Sequence, residues 1–388
     1  MKRPDFSVPP ATRTALSVAA AAGFAVVVWG LLTSPVRAWT AYLTSAFLFL
    51  SIGLGALVLL ALLAVSKAGW GVVVKRVAEG IAAYLPWGAA SILAVLFGVY
   101  KLYSWAGPHG HEDPVLRSKA AWLNVPGFAL RMVVVLGLWL LFAGALRRRS
   151  LAQDRDGDVR HTRASVALSA GFLIVFALSF SVASFDWLMS LGPHWQSTIF
   201  GWYNIAGVLV AGLAAVLVAS IWLRRAGVLP ELGAAHVHDL AKLLFGMTTF
   251  WAYLWVSQYL LIWYTNIPEE TAYYLDRYEG GYRLLFWLVP IVGWLVPFAL
   301  LLPRSAKRSE SHVLRVCAVV LLGRWLDVYV MVAPQTLPQH RGIGVVEAGA
   351  FVGFAALFLL VMMRGLRRAP LLAERDPYLV ESLHHHGS

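Results

Sequence analysis

Cysteine is almost absent from this chain, whose single example, Cys317, lies in an apolar stretch. One cysteine excludes an intrachain disulfide, a cysteine-ligated iron–sulfur cluster and a zinc site built on several cysteines. Histidine is missing where a bilayer haem would need it, because all eleven histidines fall in loops or at the ends of apolar segments. A b-type haem in a membrane bundle takes axial ligands from facing helices, so we expect no redox cofactor in this chain.

Charged residues are also scarce. They make up 13% of the 388 residues, against 59% hydrophobic residues, whereas soluble domains carry roughly 25% charged residues. The net charge of +12 does not indicate nucleic-acid binding, because the basic residues sit in short runs between apolar segments. Long loops are lacking too, which leaves no room for a separate soluble domain. The composition predicts an integral membrane protein.

Apolar runs long enough to cross about 30 Å of hydrocarbon recur along the chain. We predict about ten transmembrane helices, at 14–34, 40–65, 85–104, 126–146, 164–188, 198–223, 240–265, 282–302, 312–333 and 346–364. The chain is thus expected to be one all-α polytopic membrane domain over residues 1–388, with tails at 1–13 and 365–388. The stretch 69–84, a valine run interrupted by charges, predicts an amphipathic segment lying in the interface.

The basic residues are distributed unequally between the two sets of connections. One set, which includes both tails, holds 21 lysines and arginines, and the opposite set holds 6. Basic connections stay on the cytoplasmic side of a membrane, so both termini are predicted to be cytoplasmic. The hairpin 184–201 and the acidic loop 269–279 then face outside.

The hairpin 184–201 combines a helix break with ionisable groups close to hydrocarbon. Gly192 and Pro193 end the helix, Asp186 falls at the end of a span, and His194 follows the break. An ionisable side chain at such a place needs a partner, water or a role. The alternative interpretation is an ordinary interfacial turn anchored by its two tryptophans.

The seventh predicted span opens with His236, His238, Asp239 and Lys242. Asp239 and Lys242 are three residues apart, so they can pair on one helical face. This group is either a helix cap with a local ion pair at the interface or a cytoplasmic entrance for protons. A metal site on His236 and His238 is disfavoured, because residues two apart do not share a helical face.

Two predicted spans carry polar residues in their interiors. Tyr253 and Gln258 lie in an aromatic-rich part of the seventh span, where packing is the alternative to function. Arg324 and Asp327 in the ninth span are spaced to form an internal ion pair. Such a pair is either functional or a structural lock between helices.

Six motifs carry a resemblance to a known family. They read FDWLMSLGPHW (185–195), HDLAKLLF (238–245), FWAY (250–253), SQYLLIWY (257–264), NIPEE (266–270) and RWLD (324–327). Together they resemble the ActF-type membrane subunit, quinone-binding subunit 2, of bacterial alternative complex III, which is a quinol:cytochrome c oxidoreductase. The matching region covers roughly residues 184–334.

The resemblance implies an NrfD/PsrC-like membrane fold built on four-helix bundles, in a bacterial inner membrane. It implies partner subunits that carry haem c and iron–sulfur clusters, and a related membrane subunit that binds menaquinol or ubiquinol. The expected function is a cofactor-free subunit, not catalytic alone, that conducts protons coupled to quinol oxidation by its partners. The alternatives are a quinol-binding subunit in its own right and a secondary transporter or channel, although no inverted repeat is visible.

The polar residues of the spans are expected to turn towards one another, because a charge facing hydrocarbon costs about 2.5–3.5 kcal/mol on insertion scales. The predicted outer chain comprises Asp186, Tyr253, Gln258, Arg324 and Asp327, with His194 near its mouth. The predicted inner entrance comprises His238, Asp239 and Lys242.

The orientation can be tested with reporter fusions. Because the basic connections include both tails, a fluorescent protein fused after Ser388 should fold and fluoresce, whereas alkaline phosphatase at the same place should be inactive. Active phosphatase at the C-terminus would show that one predicted span does not cross the membrane.

Overall fold

The structure, a computed structural model, describes residues 6–107, 112–339 and 342–385. In these ranges the backbone is mostly helical and contains no strand, which confirms the predicted all-α class. The α-helices are α1 (Pro10–Thr33), α2 (Pro35–Val65), α3 (Val72–Ala82), α4 (Leu85–Leu93), α5 (Val99–Leu102), α6 (Pro114–Ser118), α7 (Val125–Asp156), α8 (Val159–Trp187), α9 (Ile199–Arg225), α10 (Ala234–Thr265), α11 (Pro268–Glu279), α12 (Arg283–Pro290), α13 (Val296–Leu301), α14 (Arg304–Arg308), α15 (Glu310–Thr336), α16 (Val345–Leu366) and α17 (Leu379–Leu383).

Nine helical segments in the described part of the chain are long and apolar enough to cross a membrane, so this is a multi-pass membrane protein. They are Pro10–Thr33, Pro35–Val65, Gly69–Leu102, Val125–Asp156, Val159–Leu191, Ile199–Arg225, Arg283–Leu301, Glu310–Thr336 and Val345–Leu366. The remaining predicted span, 240–265, coincides with α10, which has 32 residues but is not among the nine. It is rich in tryptophan and tyrosine, which are residues typical of membrane interfaces.

Three helices form the centre of the protein. The apolar windows of α2, α9 and α15 are 72%, 83% and 78% buried, against 17% to 28% for α1, α7 and α8. The backbones of α2 and α9 touch where Gly55 faces Gly212, and a Cβ on Gly55 would lie 2.9 Å from the Gly212 Cα. Small residues let membrane helices approach this closely, and dispersion contacts then stabilise the pair.

The other long helices complete two bundles around this contact. The first bundle consists of α2, α4, α7 and α8, each packed against two others in a closed ring. The second bundle consists of α9, α10, α15 and the segment Arg283–Leu301. Helices α1 and α16 pair with each other beside α2. The helix packing therefore contains two four-helix bundles, joined through α2 and α9.

The stretch 69–84, predicted to be an amphipathic interfacial segment, is buried against other helices of the protein. Its helix α3 packs against α2, α9 and α16, and the side chains of Val73, Val74 and Val77 are fully buried. The charges of Arg76 and Glu79 made this stretch look interfacial. They are accommodated in the interior because they pair with each other at 2.6 Å.

The C-terminal region is not a free tail over its described part. Ser382 on α17 donates a hydrogen bond to the Trp70 carbonyl at 2.6 Å and accepts one from the Val73 amide at 3.2 Å. Asp376 pairs with Lys75 at 2.8 Å. Residues 367–385 thus fold back onto the beginning of α3, at the end of the molecule where the basic connections lie.

The glycine contact between the bundles generates a stability prediction. Gly55→Ala should destabilise the protein by about 1–3 kcal/mol, because the new methyl group meets the Val208 carbonyl and the Gly212 Cα rather than a movable side chain. Gly137→Ala on α7 is the matched control, since its Cβ meets nothing within 4 Å. Thermal unfolding of detergent-purified protein measures both. Equal melting temperatures for the two variants would contradict the close packing.

Candidate functional site

A buried ion pair lies inside the second bundle. Arg324 and Asp327 are three residues apart near the middle of the 27-residue helix α15, and each side chain is 3% exposed. The Arg324 guanidinium donates to the Asp327 carboxylate, and the Tyr203 hydroxyl of α9 donates to the same carboxylate. The ion pair predicted from spacing therefore forms, and Tyr203 is a partner that the sequence reading missed.

The neighbouring helices are shaped to accommodate this pair. Gly207 on α9 faces the Arg324 guanidinium, and any side chain at that position would collide with it. The Arg324 Cζ lies 5.6 Å from the ring centroid of Trp251 on α10, close enough for a cation–π interaction. Trp251 also stacks on Tyr203, with ring centroids 5.7 Å apart. Three helices thus contribute to this place: α15 carries the ion pair, α10 carries the aromatic ring, and α9 has a glycine that leaves space for the guanidinium.

An irregular segment of the second bundle packs against the same place. Pro290 lacks an amide hydrogen and is followed by one π-helical turn, Ile291–Leu295. Such turns occur frequently at functional sites. Gly293 within this turn lies against Trp251, where a Cβ would approach the indole ring to 3.0 Å. The turn therefore closes the bundle around the Trp251 ring.

A small cavity of about 20 Å³ adjoins the ion pair. Such a volume has room for about one water molecule. Among its lining residues are Tyr203, Gln258, Arg277 and Asp327. Gln258 is 6% exposed, so its amide faces the bundle as predicted. The cavity therefore connects the Asp327 region with polar groups nearer the end of α10.

Arg277 on the short helix α11 is a buried cation, although its position in the sequence predicts only a charge in a loop. It is 1% exposed, donates to the Met331 carbonyl at 3.3 Å, and its Cζ lies 3.3 Å from the ring centroid of Tyr273. No carboxylate among the described residues lies within salt-bridge distance of it. Burial lowers the pKa of Arg277. The spacing of Tyr273 and Arg277, one helical turn apart, was the available signal.

Asp186 belongs to a separate cluster at the end of α8. Its carboxylate accepts hydrogen bonds from the Arg131 Nε at 2.6 Å and from the Trp122 Nε1 at 2.8 Å. The Arg131 Cζ also lies 4.2 Å from the Trp122 ring centroid. The structure therefore does not bring Asp186 together with Arg324 and Asp327. A lone arginine inside the predicted span 126–146 was a signal for this partner.

The remaining outer residues are not joined to the ion pair either. Tyr253 is 64% exposed on the outer face of α10. His194 has a 61% exposed side chain and hydrogen-bonds Asp113 at 2.5 Å. The His194 hydrogen bond, together with the Val115 amide, holds the pKa of Asp113 below its ordinary value. Asp113 also caps α6, so this contact fastens the hairpin 184–201 to the preceding loop.

The predicted inner entrance is a real cluster at the start of α10. Asp239 pairs with Lys242 at 2.7 Å and with His385 of the C-terminal region at 2.5 Å. His236 hydrogen-bonds the Ser382 carbonyl at 2.9 Å, and burial lowers its pKa. His238 is buried. The described residues contain no group of three or more potential ligands that could hold a metal ion.

A further buried ionic cluster joins α3 to α7 of the first bundle, at the end nearest the basic connections. Arg76 is 2% exposed and donates to Glu79 at 2.6 Å, to the Ser150 carbonyl at 3.2 Å and to Asp154. Arg147 on α7 also pairs with Glu79. This cluster was not predictable from the sequence, because Arg147 and Asp154 are distant from α3 along the chain.

No protein-family model matches the chain, and no curated protein sequence is significantly similar to it. The fold and its sites define the class, which is a multi-pass helical membrane protein with separate ionic clusters in its two bundles.

The buried ion pair generates a prediction that separates packing from charge. Arg324→Leu and Asp327→Leu should each destabilise the protein by about 3–5 kcal/mol, because each leaves an unpaired buried charge. The double variant should recover most of that loss. Unfolding of the wild type, both single variants and the double variant gives the coupling energy. Additive losses in the double variant would contradict a direct pair.

Proposed function

We propose that this protein is a membrane subunit of a respiratory quinol-oxidising complex and conducts protons coupled to quinol oxidation by its partner subunits. The observation that carries the proposal is the Arg324–Asp327–Tyr203 cluster, which is buried mid-helix beside a small cavity. An intramembrane carboxylate that faces a bundle interior is typical of proton relays. The quinol substrate and the membership of a larger complex are inferred from the motif resemblance to alternative complex III.

The outer part of the proposed path runs from Asp327 along the cavity. Asp327 holds or releases a proton, and the Tyr203 hydroxyl that bonds it provides the next exchangeable hydrogen. Gln258 and Arg277 line the same cavity, and Gln258 lies in the C-terminal half of α10. The volume has room for a water molecule that would bridge such groups. Asp186 and Tyr253 are not part of this path, given their positions.

The inner part of the proposed path begins at the cluster around Asp239. The buried face of α10 continues from His238 through Ala241 and Leu244 to Thr248 and Trp251. His238 and Thr248 are ten residues apart, which is about 15 Å along a helix. The apolar residues between them separate the inner entrance from the ion pair. This arrangement fits two half-paths, with transfer between them controlled by the state of the complex.

The outer face of α10 supports a place within a larger complex. Tyr253, Trp263 and Tyr264 are 64%, 65% and 85% exposed. A tyrosine hydroxyl in hydrocarbon would lack a hydrogen-bonding partner, so this face suits a protein neighbour better than lipid. Haem c and iron–sulfur clusters are assigned to partner subunits under this proposal.

A quinol-binding role is the second candidate function, because one cavity suits it. A volume of about 530 Å³ lies beside the Arg37–Glu347 ion pair and is lined also by Tyr282 and Tyr329. Carboxylate and phenol groups can hydrogen-bond the hydroxyls of a quinol. Ubiquinone or menaquinone extracted stoichiometrically from the purified chain would favour this role. Replacing Glu347 with glutamine should then release it.

Isolation of the protein from its native membranes distinguishes a complex from a lone transporter. The affinity tag belongs at the N-terminus, because the described C-terminal residues contact Trp70, Asp239 and Lys75. Purification in mild detergent should yield co-migrating multihaem cytochrome, visible on a haem-stained gel. Isolation of a single haem-free polypeptide that moves a solute in liposomes would support the transporter instead.

The proton role predicts a specific defect for Asp327→Asn. The amide keeps the shape but cannot titrate, so quinol:acceptor turnover and proton release by the complex should fall at least about tenfold. Glu310→Gln is the matched control, because Glu310 lies on the same helix in a partly exposed pair with Arg224 and Arg225. It should turn over normally.

Subunit content on a native gel checks that the Asp327→Asn complex assembles. An assembled Asp327→Asn complex with wild-type turnover and proton release would mean that the ion pair is structural only. A complex that fails to assemble gives the same conclusion, provided that the Arg324→Leu/Asp327→Leu double variant assembles and retains turnover.

A further inference from the structure

The first bundle contains a cavity that the proposed proton path does not use. It has a volume of about 430 Å³ and is lined by α2, α3, α4, α7 and α8, together with residues of the C-terminal region. Binding pockets for small molecules commonly have volumes of roughly 300–1,000 Å³ and mostly apolar walls. Because it lies within the other bundle, its occupant cannot be part of the Arg324–Asp327 site.

The walls of this cavity change from apolar to charged along one direction. Leu60 of α2 lines the cavity and Lys67 follows the end of that helix, and on α7 the lining passes from Leu140 to Arg147. On α3, which leaves the basic connections rather than approaches them, Lys75 and Glu79 precede Ala82. These three parts of the wall therefore place charged groups at the same end of the cavity and apolar side chains deeper in the bundle. This gradient matches a lipid molecule, with its headgroup at the membrane surface and its chain inside.

The charged end of the cavity has an excess of cations. Four basic residues and two acidic ones line it, namely Lys67, Lys75, Arg147, Arg368, Glu79 and Asp376. Both acidic groups are already paired, with Lys75 and with Arg147. Lys67 and Arg368 are exposed and contact no carboxylate among the described residues.

A second observation indicates a polar ligand at this end. Ser150 lines the cavity and is 5% exposed, and its hydroxyl has no hydrogen-bonding partner within the described chain. Buried hydroxyl groups are normally hydrogen-bonded. A ligand with an acceptor atom beside Arg147 would accept a hydrogen bond from the Ser150 hydroxyl.

We propose that this cavity is a binding site for one membrane phospholipid with an anionic headgroup. Lys67 and Arg368 attract the headgroup phosphate, and Ser150 donates to one of its oxygens. An acyl chain lies along Leu60 and Leu140. Basic pockets between transmembrane helices are known to hold such headgroups. A neutral quinone would leave the excess cations unmatched. The site is independent of the proposed proton path.

Two glycines of α7 provide a steric test with a matched control. Gly144 lines the cavity, and a Cβ added there meets nothing within 4 Å, so the side chain of Gly144→Leu projects into the space that the lipid would fill. Gly137 lies seven residues earlier on the same helix, is equally open, and does not line the cavity. Native mass spectrometry of the detergent-purified full chain should show one retained anionic phospholipid in the wild type and in Gly137→Leu. Retention by Gly144→Leu should fall at least about fivefold.

Charge variants test the headgroup contacts separately and remain informative if Gly144→Leu fails to fold. Delipidated Lys67→Gln/Arg368→Gln protein should bind phosphatidylglycerol less tightly, by about fivefold for each charge removed. Arg364→Gln/Arg367→Gln is the control, since these exposed arginines of the same region do not line the cavity. Phosphatidylcholine should bind equally weakly to all three proteins. Unchanged phosphatidylglycerol affinity in the first variant, or a quinone as the retained molecule, would overturn the proposal.

Discussion

A guanidinium and a carboxylate inside an apolar helical bundle must be compensated by the protein itself, because desolvation costs several kcal/mol per ion. Arg324 and Asp327 satisfy this constraint with each other, and the surrounding helices conform to it. Gly207 leaves space for the guanidinium, Tyr203 donates to the carboxylate, and Trp251 presents its ring face. Without the glycine, the tyrosine and the tryptophan at these three positions, the bundle would not accommodate the two charged side chains.

The two bundles differ in how they handle polar groups. In the second bundle the charges lie near the middle of α15, enclosed by aromatic rings and next to a volume for about one water molecule. Beside the first bundle the charges of Arg76, Glu79 and Arg147 lie towards the basic end and adjoin a much larger, mostly apolar cavity. The contact of Gly55 with Gly212 holds the two bundles together. One protein thus combines an enclosed ion pair with a separate, larger cavity.

The candidate site was predictable where its contacts are local. Arg324 with Asp327 and Asp239 with Lys242 are three residues apart, and helical geometry alone brings such residues together. Arg131 was conspicuous as a lone arginine inside a predicted span, but its pairing with Asp186 was not predictable, because the two lie on different helices 55 residues apart. Which faces of two helices meet depends on the packing of the whole bundle, and an all-round apolar sequence does not specify it.

The sequence by itself determined the class of the protein, the approximate positions of its long helices and the unequal distribution of basic residues, because length, hydropathy and charge act on each segment separately. The tertiary structure alone decided that α3 is buried and that Arg277 is enclosed although it lies within the predicted acidic loop 269–279. It also decided that the C-terminal region binds back onto Trp70 and Asp239. The physical reason is that burial of a charge is set by the partners that surround it, and those partners come from distant parts of the chain.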